Sequence, residues 1–218
     1  DLYSWLQTAI PAVSAKSQPA QQRNKRKTEV SKTAYKRQIQ SILHSLQGYR
    51  MSEAYWMMGG MVDQLNHVRD TAYDFLEAED AQGALVILTT LLTEVGRSFE
   101  QFDDSDGELG GFFSELALPL VEAILSADLS KTERRNLFNE LEPVIKELSA
   151  YGIDDLDVIL AALNLGWSEE VLDDQEDYDY DETILTEAKL NILERQNRVE
   201  EYLKLCLEAG EYRRYILK

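Results

Sequence analysis

The residues of this chain whose types could do chemistry are two histidines, one cysteine, several runs of carboxylates and a cluster of lysines and arginines. His44 and His67 have no cysteine near them, so the ligand spacings of standard zinc sites are missing. The single Cys206 excludes an intramolecular disulfide and a cysteine-based zinc cluster within the chain, and it points to a reducing, cytoplasmic compartment. The block Asp103-Asp104-Ser105-Asp106-Gly107-Glu108 has the composition of a calcium loop. An EF-hand needs an acid five residues before its glycine and a glutamate six after it, and Phe102 and Phe113 occupy those positions. The block reads instead as acids gathered ahead of a helix, where they stabilise the positive end of its dipole. These spacings offer no catalytic residue, no metal ligand and no cofactor site, and the expectation is a protein without enzymatic activity. An enzyme would need carboxylates assembled from distant helices into a buried pocket with strongly perturbed acidities.

Binding has two candidate sites. All four methionines, Met51, Met57, Met58 and Met61, fall beside Trp56 and the pair Gly59-Gly60. Adjacent glycines inside a helix cost on the order of 2 kcal/mol in propensity, usually offset by a close helix crossing. Soft methionine surfaces also line adaptable grooves. Met51, Trp56, Met57, Met58, Gly59, Gly60 and Met61 are therefore either core or a contact site for a protein partner. The second site is a basic arm: Arg23, Lys25, Arg26, Lys27, Lys32, Lys36 and Arg37. Residues 1–50 carry nine Lys/Arg against two acids, while the remainder holds thirteen against thirty-eight. Such an arm can contact the phosphates of nucleic acid, stay solvated, or pack on the acidic body of its own chain. No aromatic residue interleaves the cluster before Tyr35, which disfavours base stacking. The division of charge implies a body that repels nucleic acid and an arm that touches it. No small-molecule substrate is evident, and no apolar run approaches the roughly 18–20 residues needed to span a bilayer.

The elements that position these groups read as helices. Glycine and proline are scarce, and strand alternation is absent. Leu2 to Ile10 predicts a short helix stopped by Pro11, followed by a polar, basic linker over 12–27. A helix bearing Tyr35, Ile39, Ile42, Leu43 and Leu46 comes next. Ser52 caps a longer one with Tyr55, Met58, Val62, Leu65, Ala72 and Phe75 on its apolar face. Asp80 caps its antiparallel partner, which bears Ala84, Leu88, Leu91, Val95, Phe99 and Phe102. Ser105 with Glu108, and Ser130 with Glu133, form capping boxes for two more helices, in which Pro119 and Pro143 predict a kink or a break. A shorter helix over Leu156 to Leu165 ends at Gly166. The nine acids of 168–182, unrelieved by any Lys or Arg, predict an extended loop. Asn197 with Glu200 caps the last clear helix, which carries Val199, Leu203 and Leu207.

Phe75-Leu76-Glu77 returns 117 residues later as Ile192-Leu193-Glu194, and at the same offset Asp80 matches Asn197. Leu203 to Tyr212 looks like the helix–glycine–helix joint of tetratricopeptide-type repeats. Repeated joints predict an all-α fold of antiparallel helix hairpins stacked as an α-α superhelix, a TPR-like array. The expected organisation is a short helix and basic linker over 1–27, a helical body over 28–167, an acidic loop over 168–182 and a TPR-like hairpin over 183–218. A start at Asp1, and an end inside a helical pattern, suggest a piece of a longer protein.

Several stretches together carry a family likeness. They are Ile42-Leu43-His44-Ser45-Leu46, Ser52-Glu53-Ala54-Tyr55-Trp56 through Gly59-Gly60-Met61-Val62-Asp63, and the acidic block continued to Gly110-Gly111-Phe112-Phe113. Leu125-Ser126-Ala127-Asp128-Leu129 and Tyr151-Gly152-Ile153-Asp154-Asp155 complete the set. This pattern, over about residues 35–167, resembles the helical region downstream of the zinc finger in bacterial SWIM zinc-finger proteins. The resemblance implies a parent protein with an upstream Cys-x-Cys…Cys-x-His zinc site that binds nucleic acid or protein. This chain holds no such motif, so neither zinc nor the finger's activity carries over to any residue here. The basic arm would tether finger to body. The expected function is a non-catalytic helical scaffold for a protein partner, with auxiliary nucleic-acid binding through the arm as its rival.

Overall fold

Local capping chemistry sets several of the helix boundaries. The computed structural model describes residues 30–46, 51–167 and 182–217, with side chains from 57 in the second stretch and up to 216 in the third. Its described helices are α1 (Lys32–Leu43), α2 (Met51–Glu77), α3 (Ala81–Ser98), α4 (Glu108–Ser126), α5 (Lys131–Ser149), α6 (Asp157–Leu165), α7 (Glu182–Arg195), α8 (Val199–Glu208) and α9 (Tyr212–Leu217). No strand occurs among the described residues, and the fold is all-α. Asp80 accepts from the Gly83 N–H at 3.1 Å and opens α3. Ser130 and Glu133 form the reciprocal box that opens α5. α2 already begins at Met51, so Ser52 lies inside its first turn rather than ahead of it. The expected Ser105–Glu108 box is not formed. Gly107 adopts φ +73°, Glu108 becomes the first helical residue, and Asp104 caps α4 instead.

Pro119 and Pro143 sit inside α4 and α5, and neither helix breaks. The carbonyls they leave without an N–H belong to Glu115 and Asn139, both exposed residues, so the missing bonds fall on the solvent side of each helix.

Helices α3 and α4 form the central pair. α1, α2 and α5 pack on α3, while α2, α6 and α7 pack on α4. One continuous core runs from Ile39 in α1 to Ile192 in α7. α4 is, by length and composition, apolar enough to cross a membrane, which the residue-by-residue reading missed; here it is mostly buried and contributes Phe112, Phe113, Leu116 and Leu120 to the core. α8 packs on α7 and α9 on α8, around a smaller cluster of Leu190, Leu193, Tyr202 and Cys206. Facing α7 therefore turns Tyr202 and Cys206 inward. Val199, expected on the apolar face, is exposed, and Leu203 and Leu207 are half-buried.

The close approaches lie at Gly83 and Gly96 of α3, not at Gly59-Gly60. A Cβ on Gly83 would stand 2.4 Å from Phe75 Cδ1, and one on Gly96 would stand 2.5 Å from Val144 Cγ1. Phe75 is half-buried and can swing outward; Val144 is buried and branched, and it cannot. Gly96→Ala is expected to destabilise by about 1–2 kcal/mol, the overpacking outweighing the helix propensity gained. Denaturant unfolding of Gly96→Ala, Val144→Ala and the double variant checks this: the double variant should lose less than the sum of the singles.

Four helices end in the same hydrogen-bonded turn. After α2, Glu79 N–H bonds the Leu76 carbonyl at 3.0 Å and Asp80 N–H bonds that of Phe75 at 2.8 Å. After α7, Asn197 N–H bonds Glu194 at 3.0 Å and Arg198 N–H bonds Leu193 at 2.9 Å. α5 and α8 close likewise through Gly152 and Gly210. This is the Schellman arrangement, which needs a left-handed residue at its pivot. The two similar joints therefore align at 118 residues, Glu79 (φ 57°) on Asn197 (φ 54°), one position beyond the sequence echo. Asn197 is the pivot ending α7, not the cap of α8, whose N-cap is Arg198. Asparagine adopts that conformation at less cost than glutamate. Glu79→Asn, which installs the second joint's residue in the first, is expected to raise stability by about 0.5–1 kcal/mol in thermal unfolding.

Candidate functional site

α2 carries the methionine segment with two outcomes. Met58 and Met61 are in the core beside Val62 and Leu65, whereas Met57 is 44% exposed. The side chains of Met51 and Trp56 lie outside the described residues. Gly59 is half-buried, and a Cβ there would meet the Glu108 carboxylate at 3.3 Å, a side chain rather than a crossing backbone. Gly60 is exposed, and a Cβ on it would meet nothing within 4 Å. Gly111, three residues along α4 from Glu108, is exposed and equally open. Neither position needs glycine for its backbone, since the positive-φ glycines are Gly107, Gly152, Gly166 and Gly210. Among the described residues no packing gives a reason for Gly60, where alanine would be favoured by about 1 kcal/mol. What glycine supplies is bare backbone that another molecule can approach closely.

Beyond Gly60 the outward ridge of α2 is acidic. Asp63, Asp70, Asp74 and Glu77 are exposed, interleaved with Gln64 and His67. The Nδ1–H of His67 donates to the Asp63 carbonyl at 2.6 Å, and that of His44 to the Gln40 carbonyl, so each histidine bonds back to its own helix. A ridge of this kind complements a partner with basic residues flanking an apolar contact.

The acidic block is committed to the fold. Asp104 accepts from the N–H groups of Leu109 at 2.8 Å and Gly110 at 2.9 Å with its two carboxylate oxygens. The positive end of α4 is thereby neutralised from within the chain, and a phosphate would have to displace Asp104 to bind there.

Part of the basic arm packs on the body, one of the arrangements the sequence left open. Lys32 Nζ donates to Glu140 of α5 at 2.8 Å. Lys36 Nζ and Gln40 Nε2 share the two oxygens of Glu94 on α3, each at 2.8 Å. Arg37 is exposed. Arg23, Lys25, Arg26 and Lys27 lie outside the described residues, as do the expected helix at 2–10, the linker and the acidic stretch up to 181.

Two buried polar devices were not legible in the sequence. Glu122 of α4 is 2% exposed and accepts from Asn191 Nδ2 at 2.8 Å and from Arg195, both on α7. Arg195 Nε also donates to Glu77 at 3.3 Å, so one guanidinium joins α2, α4 and α7. A carboxylate held this way by a guanidinium is a structural clasp, unlike two carboxylates competing for a proton. Burial pushes the nearby Tyr73 phenol up, with Arg69 opposing and Glu122 reinforcing the shift. Arg134 is the second device: its Nη1 donates to the Leu163 and Asn164 carbonyls at 3.1 and 3.2 Å, capping the end of α6. Burial likewise pushes the Cys206 thiol up, away from the reactive thiolate. Comparisons of the chain with family models, with curated proteins and with solved structures found no match.

Proposed function

We propose that this chain is a non-catalytic helical scaffold, a cytoplasmic module of a SWIM-type zinc-finger protein, that holds a protein partner on the outward face of α2 at Met57–Gly60. The observation that carries the reading is Gly60: a helix-interior glycine, exposed, with open space around it among the described residues and no backbone need for it. Its cost to the free chain is repaid only when a second molecule packs on the bare backbone. Met57 supplies an apolar anchor next to it, and the acidic ridge selects a partner with basic flanks. The stepwise packing of α7, α8 and α9 through Schellman joints supports a stack of hairpins of the TPR-like kind.

Gly60→Ala should stabilise the free chain by about 0.5–1 kcal/mol in thermal unfolding while weakening the partner. The functional test is capture from native lysate, nuclease-treated and washed at high salt, with wild type, Gly60→Arg and Met57→Glu as bait. Wild type is expected to retain a discrete protein that both variants lose by about tenfold or more, with their melting temperatures preserved. Retention of the same protein by both folded variants would refute this face as the contact.

A further inference from the structure

Helix α1 meets the acidic body through two carboxylates outside the α2 face. Glu140 takes Lys32, and Glu94 takes Lys36 together with Gln40. The helix is anchored by buried Ile39, Ile42 and Leu43, so Lys32 and Lys36 stand four residues apart at fixed places along one edge. Their side chains remain 54% and 45% exposed, within reach of a second ligand. A carboxylate and a phosphate compete for the same ammonium hydrogens. We propose that Glu94 and Glu140 are an autoinhibitory pair that withholds Lys32 and Lys36 from the phosphates of a nucleic-acid duplex.

Three features favour a regulatory contact over a structural one. The apolar side of α1 already holds the helix in place. The Lys32–Glu140 pair is exposed on both sides and contributes little to stability, so breaking it leaves the fold intact. The pairs also take up two of the seven cations that would otherwise define the arm, while Arg37 stays exposed beside them. Release would follow whatever neutralises or displaces the two carboxylates, and it would show itself as a gain in salt-sensitive binding.

The test uses the full chain and a labelled duplex DNA of about 20 base pairs, titrated over a range of salt concentrations. Each freed lysine adds about 0.9 to the slope of log affinity against log salt. Glu94→Gln/Glu140→Gln should therefore steepen the slope by about 2 and bind roughly tenfold tighter at low salt than wild type. Adding Lys32→Ala and Lys36→Ala should erase both gains. Glu140→Gln alone touches only the exposed pair, and it should give about half the slope change without involving the core. Equal binding and equal slopes for wild type and the double variant would overturn the proposal. So would a gain that survives loss of the two lysines, since other groups would then carry it. An equal gain from Asp63→Asn/Asp74→Asn, which removes the same two charges from exposed positions on α2, would overturn it too, as the effect of net charge alone.

Discussion

Replacing Arg195 with methionine is expected to destabilise the chain by about 3–5 kcal/mol, because it leaves a buried carboxylate without its counterion. Glu122 is 2% exposed, and without Arg195 its carboxylate keeps only the Asn191 amide. A buried charge stripped of its counterion bears its full desolvation penalty. The guanidinium also ties Glu77 at the end of α2, so its loss loosens the seam where α7 joins the body. Arg195→Met/Glu122→Leu should regain most of the stability, because a matched apolar pair in the same place needs no charge compensation. Denaturant unfolding of the three variants checks it. A double variant no more stable than Arg195→Met would mean that the residues act separately.

Gly166→Ala ranks next, at about 2–4 kcal/mol. Gly166 ends α6 at φ 64° and ψ −163°, a region that only glycine occupies without strain. An added Cβ would also stand 2.6 Å from Arg134 Nη1, the group that donates to the last carbonyls of α6. The methyl therefore strains the backbone and displaces a buried cap together. Arg134→Ala in the same background should add much less than it does alone, since the cap is already lost.

What the sequence revealed was local. Asp80 and Ser130 declare their helices because each cap bonds within three residues, and Phe112, Leu116 and Leu120 mark a face by spacing alone. Gly152 and Gly210 announce left-handed pivots because glycine suits them. Asn197 misled because asparagine serves equally as a cap and as a pivot, and only the 118-residue alignment of the hydrogen bonds separates the two uses. Gly59-Gly60 pointed to a crossing that occurs instead at Gly83 and Gly96. A sequence shows where a side chain is missing and not what comes to rest over the gap. Glu122 and Arg195 stand 73 positions apart, so nothing short of the packed fold could join them. The candidate site was half legible: its segment was marked by composition, while the division into buried Met58 and Met61 and exposed Met57 and Gly60 came from the helix phase fixed by packing.

The most direct measurement is site-specific photo-cross-linking in native lysate, with a photoreactive residue at position 60 or at position 78, exposed near the far end of α2. Position 60 is predicted to give one discrete adduct that persists at high salt and after nuclease, and position 78 none. No adduct from position 60, or the same adducts from both positions, would contradict a partner-binding face at Met57–Gly60.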